Sequence, residues 1–209
     1  MKPVLDVRFF ATDTGAEPVR EWLKDLSPIE RKTMGEDIKA VQFGWPLGMP
    51  LVRSMGAGLW EVRIRLENRI VRVLFVLDGS TMVFVACLYQ KAAGDSKTRP
   101  GYGQRSIEVV KKEMTMHKKN IGSSFDDFLQ EEAILDETTA VALKRVIAWQ
   151  IAEEMKAQQL TKTTLAKRMH TSRAALNRLL DENDASLTLT TLASAAAALG
   201  KKINLQLSA

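Results

Sequence analysis

The 209-residue chain predicts an α+β fold in two parts. An N-terminal part sets two helices on an antiparallel sheet, and an all-α part follows, closed by a short C-terminal strand. Three observations carry this reading. Apolar residues recur at helical spacing between residues 18 and 44, at every second position between 59 and 66, and at helical spacing again from Leu143 onward. Each helical stretch opens on a hydroxyl or acidic capping residue, and the β-rich stretches are separated by turn residues. The apolar share is 45% and the charged share 26%, the balance of an ordinary globular protein.

Composition also excludes classes of function. The uninterrupted apolar run Met82–Tyr89 falls far short of the ~18 residues of a membrane span, and the first residues lack a signal-peptide core. The single cysteine, Cys87, has no internal partner, which points to a reducing, cytoplasmic setting. Two histidines and one cysteine make a dedicated zinc site a poor fit, so no metal and no cofactor are expected.

The elements follow in order. Val4 to Phe10 reads as a strand. Thr14-Gly15-Ala16-Glu17 fits a capping box with Pro18 in the first helical turn, followed by Val19, Trp22, Leu23 and Leu26. Ser27-Pro28-Ile29-Glu30 is a second capping box, and Ile29, Met34, Ile38 and Val41 line a second helix that stops near Gly44 and Pro46. Leu59 to Leu66 places Trp60, Val62, Ile64 and Leu66 on one strand face and Glu61, Arg63 and Arg65 on the other. Ile70 to Leu77 is the next strand, Asp78-Gly79 its hairpin turn, and Met82 to Tyr89 the third strand of a meander. Lys91 to Gly103 reads as a loop, and Ser106 to Lys112 as a short helix.

Residues 49–105 hold nine basic residues against four acids, the imbalance of a polyanion-binding surface, although a solvated sheet face has the same composition. Residues 1–113 contain no histidine, and no nucleophilic triad or carboxylate pair stands out. Arg63 and Arg65 on one strand, Arg72 on the next and Lys91 at the exit of the third are placed to converge. Clustered guanidinium and ammonium groups stabilise a phosphate that gains charge in a transition state. RNA supplies its own 2′-hydroxyl nucleophile, so Arg and Lys with a Tyr suffice for a metal-free nuclease. The alternative is an arginine-rich face with no catalysis.

These residues resemble a known family. Gly58-Leu59-Trp60-Glu61-Val62-Arg63-Ile64-Arg65, Val71-Arg72-Val73-Leu74-Phe75, Asp78-Gly79 and Val83 to Lys91 are similar to HigB-type toxins of the RelE/ParE superfamily, over about residues 1–112. The resemblance implies a RelE-like domain that cleaves mRNA on the ribosome as a metal-free endoribonuclease (an mRNA interferase), with catalytic positions on Arg63, Arg72 and Lys91 and Arg65 beside them. Tyr89 and Tyr102 are candidates to stack on a base or move a proton, and Lys97 and Arg99 to bind RNA. Relatives usually run from the last strand straight into a Lys-rich segment. Here Gln90 and Ala92-Ala93-Gly94-Asp95 intervene before Lys97-Thr98-Arg99-Pro100. Related ParE toxins poison gyrase instead, so the fold alone leaves activity open.

Past residue 113 the pattern changes. Met114 and Met116 look like the seam of two reading frames. Asp126, Asp127, Glu131, Glu132, Asp136 and Glu137 then surround Phe125, Phe128, Leu129, Ile134 and Leu135 in an acidic amphipathic arm. That arm is the first choice for contacting the basic N-terminal part. Leu143, Val146, Ile147, Ile151 and Met155 mark a long helix. From Lys162 the spacing is that of a helix-turn-helix. Leu165-Ala166 lies on a short helix, Met169-His170-Thr171 on the turn, and Ser172 to Leu180 on the next helix. The small Ala166 admits a close crossing, and His170 sits where a left-handed backbone is needed. Thr171 is placed to cap the second helix. Lys162, Thr171, Ser172, Arg173, Asn177 and Arg178 are the candidate DNA contacts, since Arg reads guanine and Asn adenine in the major groove. Thr188 caps a final helix ended by Gly200, and Ile203 to Leu207 alternates like a strand that pairs across a dimer.

The run Ala166 to Leu176 is similar to HigA-type antitoxins of the Xre/Cro class, over about residues 116–209. That resemblance implies a homodimer that neutralises its toxin, binds operator DNA and represses its own transcription. The expected organisation is therefore a RelE/HigB-like toxin domain at 1–113, a junction and acidic arm at 114–137, and a HigA-like helix-turn-helix domain at 138–209. The competing readings are a transcriptional regulator with a catalytically inert toxin-like domain, and a gyrase-targeting toxin module.

Overall fold

The computed structural model describes residues 1–89, 120–181 and 188–203. Lys2–Thr139 forms one compact unit and Ala140–Ala209 the other. The loop and helix expected over 91–112, the two junction methionines and the terminal strand beyond Ile203 lie outside the described residues.

In the first unit β1 (Asp6–Phe10) leads into α1 (Pro18–Lys24) and α2 (Pro28–Gly44). The strands β2 (Val52–Gly56), β3 (Leu59–Arg65), β4 (Ile70–Asp78) and β5 (Thr81–Tyr89) follow as a meander, and β6 (Ile121–Ser124) returns to the sheet. The described sheet runs β2-β3-β4-β5-β1-β6. It is mixed, where an antiparallel sheet is expected from the sequence. β1 lies parallel to β5, with Asp6 opposite Thr81 and Phe9 opposite Phe84, because the helices and three strands separate them in the chain. The strand β2 was hidden from the sequence reading by its short, polar run Arg53-Ser54.

Capping chemistry explains the helices. Ser27 accepts from the Glu30 amide while Glu30 reaches back to the Ser27 amide, the expected box. The box expected at Thr14 is absent. Glu17 occupies the N-cap of α1 without a side-chain bond to the helix, since its carboxylate accepts instead from the amide and, at 2.7 Å, the hydroxyl of Ser123. Met34, Ile38 and Val41 are buried as their spacing requires, but Ile29 is 81% exposed because it sits at the helix entrance, before the face that meets the sheet.

The segment after residue 119 is part of this unit, not a separate junction. β6 pairs antiparallel with β1, Arg8 opposite Ser124 and Phe10 opposite Ile121. It leads into α3 (Phe125–Glu131), capped by Ser124, and then into α4 (Leu135–Ala157), which starts in the first unit and continues into the second. Phe125, Phe128 and Leu129 are buried in the same core as Val7, Phe9, Leu23, Met34, Ile38 and Phe84. Ring centroids lie 5.4–5.9 Å apart in edge-on contacts among Phe9, Phe84 and Phe125. The border expected after residue 113, at the methionine seam, lies outside the described residues, and the two compact units divide at Thr139–Ala140.

Four of the arm's acids meet cations of the helical layer. Arg20 bonds Glu131 at 2.5 Å, Arg31 bonds Glu132, Lys32 bonds Glu137 at 2.5 Å, and Lys39 bonds both oxygens of Asp126 at 3.0 and 3.1 Å. The bond it donates to Glu137 holds the Lys32 ammonium above its ordinary pKa. Exposed pairs of this kind add about 0–1 kcal/mol each, whereas each buried apolar side chain of the arm contributes about 1.5–3 kcal/mol. The apolar anchors thus supply most of the stabilisation, and the charges set the register. Gly35 completes the fit: a Cβ there would lie 2.8 Å from Thr138 Cγ2 and 3.1 Å from Leu129 Cδ2.

The second unit continues α4 and adds α5 (Lys162–Arg168), α6 (Arg173–Leu180) and α7 (Leu189–Ala198). Its core is Ile151, Met155, Leu165, Ala166, Met169, Leu176, Leu179, Leu192, Ala195 and Leu199. Thr188 caps α7, and Gly200 follows it with φ +71°, the left-handed residue that ends a helix.

Phe128→Ala should destabilise the first unit by about 3–5 kcal/mol, read by denaturant unfolding. Asp126→Ala, which strands the buried Lys39 ammonium, should cost about 2 kcal/mol, and Glu137→Ala less than ~0.5 kcal/mol. Equal losses would show that the ion pairs do not differ as burial requires.

Candidate nucleic-acid interfaces

The first interface is built on the sheet face away from α1 and α2. In β3 and β4, Val62, Ile64, Val71, Val73 and Phe75 point into the main core. Glu61, Arg63, Arg65 and Arg72 alternate to the other side, with Leu59, Leu74 and Val76. The register sets Arg63 directly opposite Arg72, and Arg65 opposite Ile70. Two cations facing each other across a strand pair repel. Glu61, only 1% exposed, sits two residues from Arg63 and accepts from its Nε at 2.8 Å, supplying the negative charge that makes this arrangement tolerable. Arg53 stands opposite Glu61 on β2 and is exposed.

Strand alternation predicts Arg63, Arg65 and Arg72 on one face, and the register adds two members to it. Glu61, expected on the basic face beside Arg63 and Arg65, is the buried counter-charge. Arg53 was counted in the basic segment without a strand to hold it. Tyr89 ends β5 with its backbone opposite Val71, adjacent to Arg72. Lys91, Lys97, Arg99 and Tyr102 lie outside the described residues. No cluster of three potential metal ligands occurs among the described residues. Cys87 is buried in the core, and burial pushes its thiol pKa up, which disfavours the thiolate form.

The second interface is the paired helices α5 and α6. Thr161 caps α5, accepting from the Thr164 amide at 3.1 Å. The turn passes through His170 at φ +50°, a conformation open to His more readily than to β-branched residues. The Thr171 amide donates back to the Ala166 carbonyl at 3.0 Å. The cap of α6 is Ser172, whose hydroxyl accepts from the Ala175 amide at 3.0 Å, and not Thr171. The cap expected at Thr171 thus falls one residue later, because both hydroxyls can cap and only the turn's backbone decides which does. Leu176 and Leu179 are buried beneath α6, while Arg173, Ala174, Asn177 and Arg178 form its exposed stripe. Lys162, at the start of α5, donates to Asn177 Oδ1 at 3.2 Å. No described helix is long and apolar enough to cross a membrane.

Glu61→Gln removes the counter-charge between paired arginines, and should lower the first unit's melting temperature, in an amount that shrinks as salt screens the repulsion. A salt-independent loss would assign Glu61 a packing role only. Residues 21–114 match the family of phage-derived Gp49-like proteins, and residues 126–208 match a helix-turn-helix domain family. No curated protein and no solved structure matches the chain. The helix-turn-helix match supports DNA binding, and the Gp49-like match is to a toxin-type family. The chain thus joins a segment similar to toxin-type Gp49-like proteins to a helix-turn-helix segment, an arrangement that fits a fused toxin and antitoxin.

Proposed function

We propose that the N-terminal unit is a latent, metal-free endoribonuclease of the HigB type acting on mRNA at the ribosome. The segment from about residue 116 to 209, arm included, is its HigA-type antitoxin, which dimerises on operator DNA and represses its own transcription. The observation that carries the nuclease reading is the cross-strand pair Arg63–Arg72, with Glu61 buried at its base. Two guanidinium groups held side by side on a rigid sheet fit the charge that develops when a 2′-hydroxyl attacks the neighbouring phosphate and the 5′-oxygen leaves. Arg63 and Arg72 stabilise that charge, Arg65 extends the positive field, and Lys91 or Tyr89 is the candidate for moving the proton.

The docked arm supports the neutralisation reading. It covers Arg20, Arg31, Lys32 and Lys39 on α1 and α2, while β6 lies at the opposite end of the sheet order from β2 and β3. Neutralisation in this reading removes a cationic helical surface from reach of an RNA polyanion, leaving the arginine face uncovered by the arm. The exposed stripe Arg173, Asn177 and Arg178 supports the operator reading.

Inducing residues 1–113, which lack the apolar anchors Phe125, Phe128 and Leu129 and whose folding is therefore checked by circular dichroism, should arrest growth with loss of mRNA, and supplying residues 114–209 in trans should restore it. Arg63→Glu with Arg72→Glu should abolish the mRNA loss. DNA breaks without mRNA loss would favour a gyrase-targeting module, and neither effect from a stably accumulated fragment would favour a regulator with an inert domain.

A further inference from the structure

We infer that Glu61 is a positioning residue: by holding Arg63 at Nε, it turns the outer edge of that guanidinium toward solvent as a two-pronged donor for one phosphate of the substrate. The inference rests on the reading of this sheet face as a phosphodiester-cleaving site and names what orients its donors. A guanidinium has two edges on which paired N–H groups run parallel, one formed by Nε with an Nη and one by the two Nη groups. Glu61 accepts from Nε at 2.8 Å and so takes the first edge. Glu61 is 1% exposed and the Arg63 side chain 30%, so the bonded edge lies inward and the Nη edge outward. No second polar partner of the Arg63 side chain occurs among the described residues.

The two arginines of the cross-strand pair therefore differ. Arg72 stands opposite Arg63 on one side and opposite Leu88 on the other, and its side chain has no hydrogen-bond or ion-pair partner among the described residues. An untethered arginine gives up rotamer freedom when it binds, whereas Arg63 has given it up on folding. Arg63 is the preset fork, whose two Nη groups meet the two non-bridging oxygens of a phosphodiester, and Arg72 is the donor that closes on the bound anion. Removing Glu61 has two effects of opposite sign on phosphate. It releases Arg63 from its orientation, and it lifts the repulsion that a carboxylate exerts on a nearby anion. Substituting a neutral acceptor separates the two.

The test titrates inorganic phosphate into the full 209-residue chain and its Glu61→Gln, Glu61→Leu and Arg63→Lys variants, following the side-chain N–H resonances of Arg63 and Arg72 by NMR. In the unaltered chain, phosphate should shift the Nη resonances of Arg63 and those of Arg72, while the Arg63 Nε–H stays protected from exchange. Glu61→Gln and Glu61→Leu lose the same charge, and only glutamine keeps an oxygen that accepts from Nε. Glu61→Gln should bind phosphate about three to ten times more tightly than Glu61→Leu, the cost of immobilising one long side chain. Arg63→Lys keeps the charge without the fork. It should weaken phosphate binding by a similar factor, and it supplies the comparison if Glu61→Leu does not fold. Equal affinities for the glutamine and leucine variants overturn the inference. So does an Arg63→Lys chain that binds phosphate as the unaltered chain does. Phosphate that shifts neither arginine of the unaltered chain overturns the reading of this face as a phosphodiester site.

Discussion

Phe125, Phe128 and Leu129 are buried among Phe9, Leu23, Met34, Ile38 and Phe84, and the architecture of the first unit depends on that burial. These residues come from a segment more than a hundred positions after β1, yet they complete its core. Once they are in place, β6 pairs on the edge of β1, satisfying backbone groups that an open edge strand would present to other chains. The acids around them then fall opposite Arg20, Arg31, Lys32 and Lys39. Apolar contact provides the energy and charge the alignment. A segment attached in this way serves both as structural support and as a cover for cationic surface, which is what an antitoxin arm fused to its target would have to do.

The sheet's other face obeys a different constraint. Arg63 and Arg72 are held opposite each other by strand register, an arrangement that repels unless compensated. Glu61 compensates it at the cost of burying a carboxylate beneath a half-exposed guanidinium. Two cations held together against their repulsion are the arrangement on which the proposed nuclease reading rests. The helix-turn-helix shows the reverse economy. Its turn, caps and buried leucines are each locally satisfied, so the exposed stripe of α6 has no part in the core.

Much of this was legible in the chain itself. The capping box at Ser27, the alternation around Arg63, the hairpin at Asp78-Gly79 and the left-handed turn at His170 are local events. Each is decided by residues within a few positions of one another, so periodicity and turn chemistry suffice to find them. The same holds for the shared face of Arg63, Arg65 and Arg72, which needs only the two-residue period of a strand and a hairpin to bring two strands together.

What tertiary structure alone decided is non-local. The parallel pairing of β1 with β5, the recruitment of β2 that sets Arg53 beside Glu61, and the burial of Glu61 depend on contacts between distant segments. So does the choice of Ser123 over the helix backbone as the partner of Glu17. The border between the units shows the difference most clearly. The methionine pair and the change of pattern place it after residue 113, because both record how a segment looks. The fold places it at Thr139–Ala140, because apolar side chains are assigned to whichever core removes them from water, and that core was assembled from β1, α1, α2 and β5.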